Sequence, residues 1–221
     1  GDAVALGDLD GPGPSTCALA VGAALDDDGA LNRGALYVLF MGSAGQVLSF
    51  QKISSLEGGF AGPLAAGDEF GSSLAFLGDL DGAGPSAAAI AVGAPFTDDG
   101  GTSRGAVWVL FLSSTGSVIS QRKISSTSAD FTGLLDNLDE FGGAVTWLGD
   151  LDGIGRSVAA LAVGAGGDDD GGLDRGALYV LFLGPGGEVL SNQKISSTTG
   201  GFTGVLDNAD DFGTALAGLG D

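Results

Sequence analysis

The stretch DEFGSSLAFLGDLDG at 68–82 returns as DEFGGAVTWLGDLDG at 139–153 and begins again as DDFGTALAGLGD at 210–221. The GD pairs at Gly7, Gly78, Gly149 and Gly220 stand 71 residues apart without a gap. Self-similarity at a constant period is the mark of a repeat architecture. Other phrases keep the same step. RGALYVLF at 33–40 becomes RGAVWVLF at 104–111 and RGALYVLF at 175–182, and QKISS at 51–55 becomes RKISS at 122–126 and QKISS at 193–197. The units are 1–71, 72–142 and 143–213, and 214–221 is read as the first strand of a following unit.

Each unit holds four strand-like runs. In the middle unit they are SSLAFLGD (72–79), AAIAVGA (88–94), GAVWVLFL (105–112) and GSVISQRKISS (116–126). The first three are short, apolar and bounded by Gly and Asp, as buried strands are. The fourth is mixed on both faces, which suits a half-exposed outer strand. A long connection follows it, with one apolar-looking Phe at Phe60, Phe131 and Phe202. No 3.6-residue periodicity appears, so helical and leucine-rich repeats are disfavoured. Four antiparallel strands per repeat predict an all-β chain of β-propeller blades.

Composition narrows the function classes. The 221 residues are 44% hydrophobic, enough for a core, and 43 are Gly, which fits many turns. Asp and Glu number 28 against 8 Lys and Arg, a net charge of −20. Such a surface repels phosphate backbones and anionic membranes, which argues against nucleic-acid binding. No apolar run approaches a membrane-spanning length, and no signal peptide is visible. There is no histidine, and the one cysteine, Cys17, reads as a small core residue equivalent to Ala88 and Ala159. The polar residues that stand out each occur three times, which suits a scaffold better than a single active site.

The run from DEFG at 68 to VWVLF at 111 resembles the FG-GAP repeat of integrin α-chain propellers and their relatives. Phe-Gly stands at 70–71, 141–142 and 212–213, and Gly-Ala-Pro is intact once, at 93–95. The resemblance covers essentially the whole chain. It implies a propeller-type fold, an extracellular or cell-surface setting, and a calcium loop of the form Asp-x-Asp-x-Asp-Gly-x-x-Asp between the first two strands. Onto that loop fall Asp8 and Asp10, Asp79 and Asp81, and Asp150 and Asp152. The third carboxylate is replaced by Pro12, Ala83 and Ile154, and the last by Thr16, Ala87 and Val158, or by Ala18, Ala89 and Ala160 counted back from the second strand. Calcium takes six to eight oxygens, so these loops read either as weak calcium sites or as turns shaped by Asp acceptors.

Three further positions recur. Arg33, Arg104 and Arg175 follow the acidic loops at 26–29, 98–101 and 168–172, and Arg–carboxylate contacts are expected to hold those loops. The alternative is that the loops take a cation or a basic partner. Asp68, Asp139 and Asp210 precede the Phe-Gly and are expected to cap a turn, the alternative being that they reach the neighbouring GDLDG loop as an extra metal ligand. Tyr37, Trp108 and Tyr179 share one strand position and are expected to pack between repeats.

Closed propellers typically need four to eight blades. Residues 1–8 and 214–221 occupy the same place in the repeat, so the sequence reads as a window on a longer pattern with an open sheet face at each end. Either a larger ring or a head-to-tail filament follows, and the filament is favoured. The leading functional expectation is a non-enzymatic extracellular structural or adhesive protein. It would partner neighbouring repeats or copies of itself, or an extracellular protein or glycan. A calcium-dependent receptor module is the alternative, and a propeller-borne hydrolase the remote one.

Overall fold

The computed structural model describes residues 2–82, 84–153 and 157–219. Three four-stranded antiparallel sheets make up the fold, and the described residues contain no helix. The first sheet is β1 (Ala3–Gly7), β2 (Cys17–Ala23), β3 (Ala35–Met41) and β4 (Val47–Ile53). The second is β5 (Leu74–Gly78), β6 (Ala88–Ala94), β7 (Ala106–Leu112) and β8 (Val118–Ser125). The third is β9 (Val145–Gly149), β10 (Ala159–Ala165), β11 (Ala177–Leu183) and β12 (Val189–Ile195). In each sheet the strands lie in chain order, so neighbours in sequence are neighbours in space. Among the described residues, 214–219 join no ladder. They run beside β9, where the Gly218 N–H donates to Thr146 Oγ1 at 2.9 Å.

The register repeats with the sequence. Tyr37 faces Lys52, Trp108 faces Lys123 and Tyr179 faces Lys194 across the third and fourth strands. A bulge interrupts the first-to-second and third-to-fourth pairings at equivalent places in all three sheets. Such bulges bend the bulged strand and increase its local twist.

The sheets stack through opposite faces. Leu36, Val38 and Phe40 of β3 pack into one cluster with Trp108, Leu110 and Leu112 of β7. Val107, Val109 and Phe111, on the other face of β7, pack into a second cluster with Tyr179, Leu181 and Leu183 of β11. Consequently β6 and β7 are buried at every residue. In β2 and β3 the alternate residues Cys17, Leu19, Val21, Tyr37, Leu39 and Met41 are only half-buried, and in β11 so are Leu178, Val180 and Phe182. The pleat sends successive side chains to opposite faces, so the first sheet has an open face along β2 and β3 and the third along β11, while β10 is buried at every residue. Cys17 therefore departs from the expected core position. It lies on the open face, whereas Ala88 and Ala159 are covered.

The Phe-Gly segments tie the stack together. The Phe70 N–H donates to the Arg33 carbonyl at 2.9 Å, and the Gly71 N–H donates to the Gly93 carbonyl of the next sheet at 3.0 Å. Gly142 makes the matching bond to Gly164. A Cβ on Gly93 would lie 2.0 Å from the Gly142 carbonyl oxygen, and one on Gly164 would lie 2.0 Å from that of Gly213. Only glycine admits backbone this close. The first strands β1, β5 and β9 are neighbours across the sheets. They line an open trough of about 730 Å³ whose walls include Val4, Leu74, Phe76 and Trp147.

Candidate functional site: the acidic loops and the lysine clasp

The acidic loop before each third strand sits over the fourth strand of its own sheet. Lys52 Nζ lies 3.0 Å from Asp26 Oδ1 and 2.8 Å from Asp28 Oδ2. Lys194 Nζ lies 2.6 Å from Asp168 Oδ2 and 3.0 Å from Asp170 Oδ2. In the middle repeat Thr97 replaces the first Asp, and Lys123 Nζ holds Asp99 Oδ2 alone, at 2.6 Å. Each ammonium also stands over the aromatic ring across the strand, at 5.6, 5.3 and 5.6 Å from Tyr37, Trp108 and Tyr179.

The other carboxylates of each loop also accept hydrogen bonds. Asp27, Asp98 and Asp169 accept the N–H of Asn32, Ser103 and Asp174, each at 2.8 Å. Those three acceptor-bound residues have φ of 51°, 45° and 48°, a left-handed conformation that a local hydrogen bond stabilises. The third carboxylate of each loop accepts a buried serine hydroxyl, from Ser54, Ser125 or Ser196, at 2.8 Å. QKISS and RKISS are thus the lysine and serine half of a clasp whose other half is the acidic loop.

The expected arginine contacts are not formed. Arg33 Nη1 donates to Ser55 Oγ at 3.4 Å, and Arg104 Nε and Arg175 Nε donate to Asn137 and Asn208 Oδ1 at 3.2 Å. Among the described residues these arginines make no ion pair. They adjoin the loop in sequence, but hairpin register brings the lysine across to it. That register was the available signal, since a five-residue connection at 42–46 sets Lys52 opposite Tyr37.

Electrostatics follow this geometry. Burial works against the charge on Lys194, yet Asp168 and Asp170 hold its pKa above the ordinary value. The Asp170 carboxyl is lowered, because bonds from Ser196 and Lys194 outweigh its burial. Asp139 behaves oppositely. It is buried between repeats, and burial, with the Asp168 charge nearby, pushes its carboxyl up to about 7. Asp68, Asp139 and Asp210 each cap the expected turn, accepting the N–H of Ala65, Asp136 and Asp207 at 2.8 Å.

The Asp-pair loops lie elsewhere, between the first and second strands. Asp8, Asp79, Asp150 and Asp152 are exposed, and Asp10 and Asp81 are half-buried. Asp10 accepts the Ser15 hydroxyl, and Asp81 accepts that of Ser86 at 2.6 Å. Asp150 accepts the Gly153 N–H at 3.1 Å. The serine bond holds the Asp81 carboxyl below its ordinary range. Pro12 is exposed, whereas Ala83 and Ile154 lie outside the described residues. Thr16 donates its hydroxyl to the Met41 carbonyl at 3.3 Å, and Ala18, Ala89 and Ala160 are buried in strands. Among the described residues no three Asp, Glu, His or Cys side chains form a metal-holding group. Each loop thus offers two carboxylates, with a serine hydroxyl beside the second in the first two repeats, where calcium takes six to eight oxygens.

Of the three connection phenylalanines, two are buried. Phe60 stacks on Phe70 and meets Trp108 edge-on, both at 5.0 Å between centroids. Phe131 meets Phe141 at 5.2 Å and Tyr179 at 5.6 Å. Phe202 stacks on Phe212 at 5.0 Å but is 36% exposed, against 6% and 5% for the others, because no third-strand aromatic covers it. The chain matches no family model and no curated protein.

Proposed function

We propose that the chain is a non-enzymatic structural or adhesive repeat protein of extracellular surfaces, its sheets serving as propeller-type blades of the FG-GAP kind within a larger ring or filament. The observation that carries this reading is where the conspicuous polar groups are used. Lys52, Lys123 and Lys194 and the acidic loops they hold are closed on one another in every repeat. They brace the third and fourth strands of each sheet. The same reading is supported by the middle sheet, whose β7 packs against β3 on one face and β11 on the other. Electron microscopy of native material with an antibody to this chain is the test. Labelled rings or filaments at the cell surface are expected, and label confined to single unassembled chains inside cells overturns the reading.

A second reading is a calcium-dependent module for a protein or glycan ligand. It is favoured by the exposed carboxylates of Asp8, Asp79 and Asp150 at the same place in each repeat. Calcium titrated into chelator-treated protein is then expected to give heat and raise the melting temperature, and the absence of both effects sinks this reading.

A further inference from the structure

We propose that the two open sheet faces of this chain are the halves of one joint, and that a second copy completes it head-to-tail. The inference deepens the scaffold reading and rests on it. Its strongest ground is that the chain already contains the joint twice. Leu36, Val38 and Phe40 of the first sheet seat against Trp108, Leu110 and Leu112 of the second, and the second seats against the third in the same way. The open face of the third sheet offers Leu178, Val180 and Phe182, the same side chains as the sealed face of the first. The open face of the first sheet offers Tyr37 and Leu39, the same side chains as Tyr179 and Leu181, which are fully buried by the second sheet.

The aromatic contacts identify the register. Each internal joint closes a three-ring cluster, Phe60–Phe70–Trp108 or Phe131–Phe141–Tyr179. Phe202 and Phe212 are already stacked at 24°, as Phe60 and Phe70 are at 26°, and lack the third ring. Tyr37 lacks the phenylalanine pair. Tyr37 of a second copy, seated on Phe202, completes the cluster. The phenol has a partner waiting too. Tyr179 Oη donates to the Leu134 carbonyl, and Val205 occupies the place of Leu134 in the next repeat. Backbone supplies a further bond. The Val118 N–H donates to the Gly58 carbonyl at 2.8 Å. Gly58-Gly59-Phe60 recurs as Gly200-Gly201-Phe202, and Val118 corresponds to Val47.

Because the two faces differ, the contact is heterologous and has a direction. A face cannot pair with its own copy without losing the ring cluster. Blocking either face therefore stops growth, and two differently blocked chains still fit each other once.

The test is sedimentation of the 221-residue chain and of two variants, Leu39→Glu on the first sheet and Val180→Glu on the third. The wild type is expected to gain mass with concentration above 21.5 kDa. Each variant alone is expected to stay a monomer, and an equimolar mixture to stop at a one-to-one dimer. Circular dichroism and melting confirm that both variants fold. The milder pair Tyr37→Ala and Phe202→Ala guards against misfolding and is expected to weaken association about tenfold each, since each removes one ring of the same cluster. A single Glu variant that still associates, a mixture that stays monomeric, or a wild type monomeric at all concentrations overturns the joint. The scaffold reading falls separately, on images of native material without assemblies.

Discussion

At the scale of single residues, the chain uses lysine where carboxylates crowd. Lys194 pairs with both Asp168 and Asp170, and Asp168 is buried. Removing the cation strands two charges, and breaking such a partly buried pair costs on the order of 3 kcal/mol. Lys194→Met is therefore expected to lose that much in a denaturant melt. Lys123→Met strands only Asp99 and is expected to lose less; equal losses contradict the account. Asp139 gives a pH signature. Its folded pKa of about 7 lies above the ordinary 3.8, so between about pH 4 and 7 the folded chain keeps a proton that the unfolded chain releases. Stability from this group falls as pH rises through that window and is flat above it. Asp170 runs the other way, its contribution present above the ordinary carboxyl range and lost on acidification. Asp139→Asn keeps an acceptor for the Asp136 N–H and removes the titration. It is expected to melt above the wild type at pH 8 and level with it near pH 4. A variant that melts lower at pH 8 refutes the assignment.

At the scale of strands and loops, much was legible because the pattern is local. Alternation and Gly-Asp punctuation at a constant step of 71 mark the strands of all three sheets, and the mixed faces of β4, β8 and β12 mark the outer strand. The partner of the acidic loop was not legible from adjacency. Arg33 is the nearest cation in sequence, but Lys52 reaches the loop through hairpin register. Phe202 shows a second limit. Its sequence context matches Phe60, yet it is 36% exposed, because no third-strand aromatic covers it as Trp108 covers Phe60. The Asp pairs look like ligands in sequence, and in the structure Asp10 and Asp81 accept serine hydroxyls. The shared third-strand aromatic offers a direct comparison. Trp108→Ala empties a site sealed on both sides and is expected to cost about 3–5 kcal/mol in a urea melt of dilute protein. Tyr37→Ala, on the open face, is expected to cost about 1 kcal/mol. Similar losses at both positions contradict the stacking described here.

At the scale of the whole molecule, stability comes from stacking rather than from one central core. The two apolar clusters lie between sheets, one on each side of β7. Each repeat therefore leans on its neighbours, and the end sheets carry the same apolar faces without the neighbour. Cys17 is a built-in reporter of that difference. It sits half-buried on the open face of β2, where its equivalents Ala88 and Ala159 are each 1% exposed. The most direct measurement is the rate of Cys17 alkylation in the 221-residue chain over a range of protein concentration, with mass followed by light scattering. Alkylation is expected to slow at least tenfold as mass rises. Alkylation at one rate at every concentration, with the mass constant at 21.5 kDa, would contradict it.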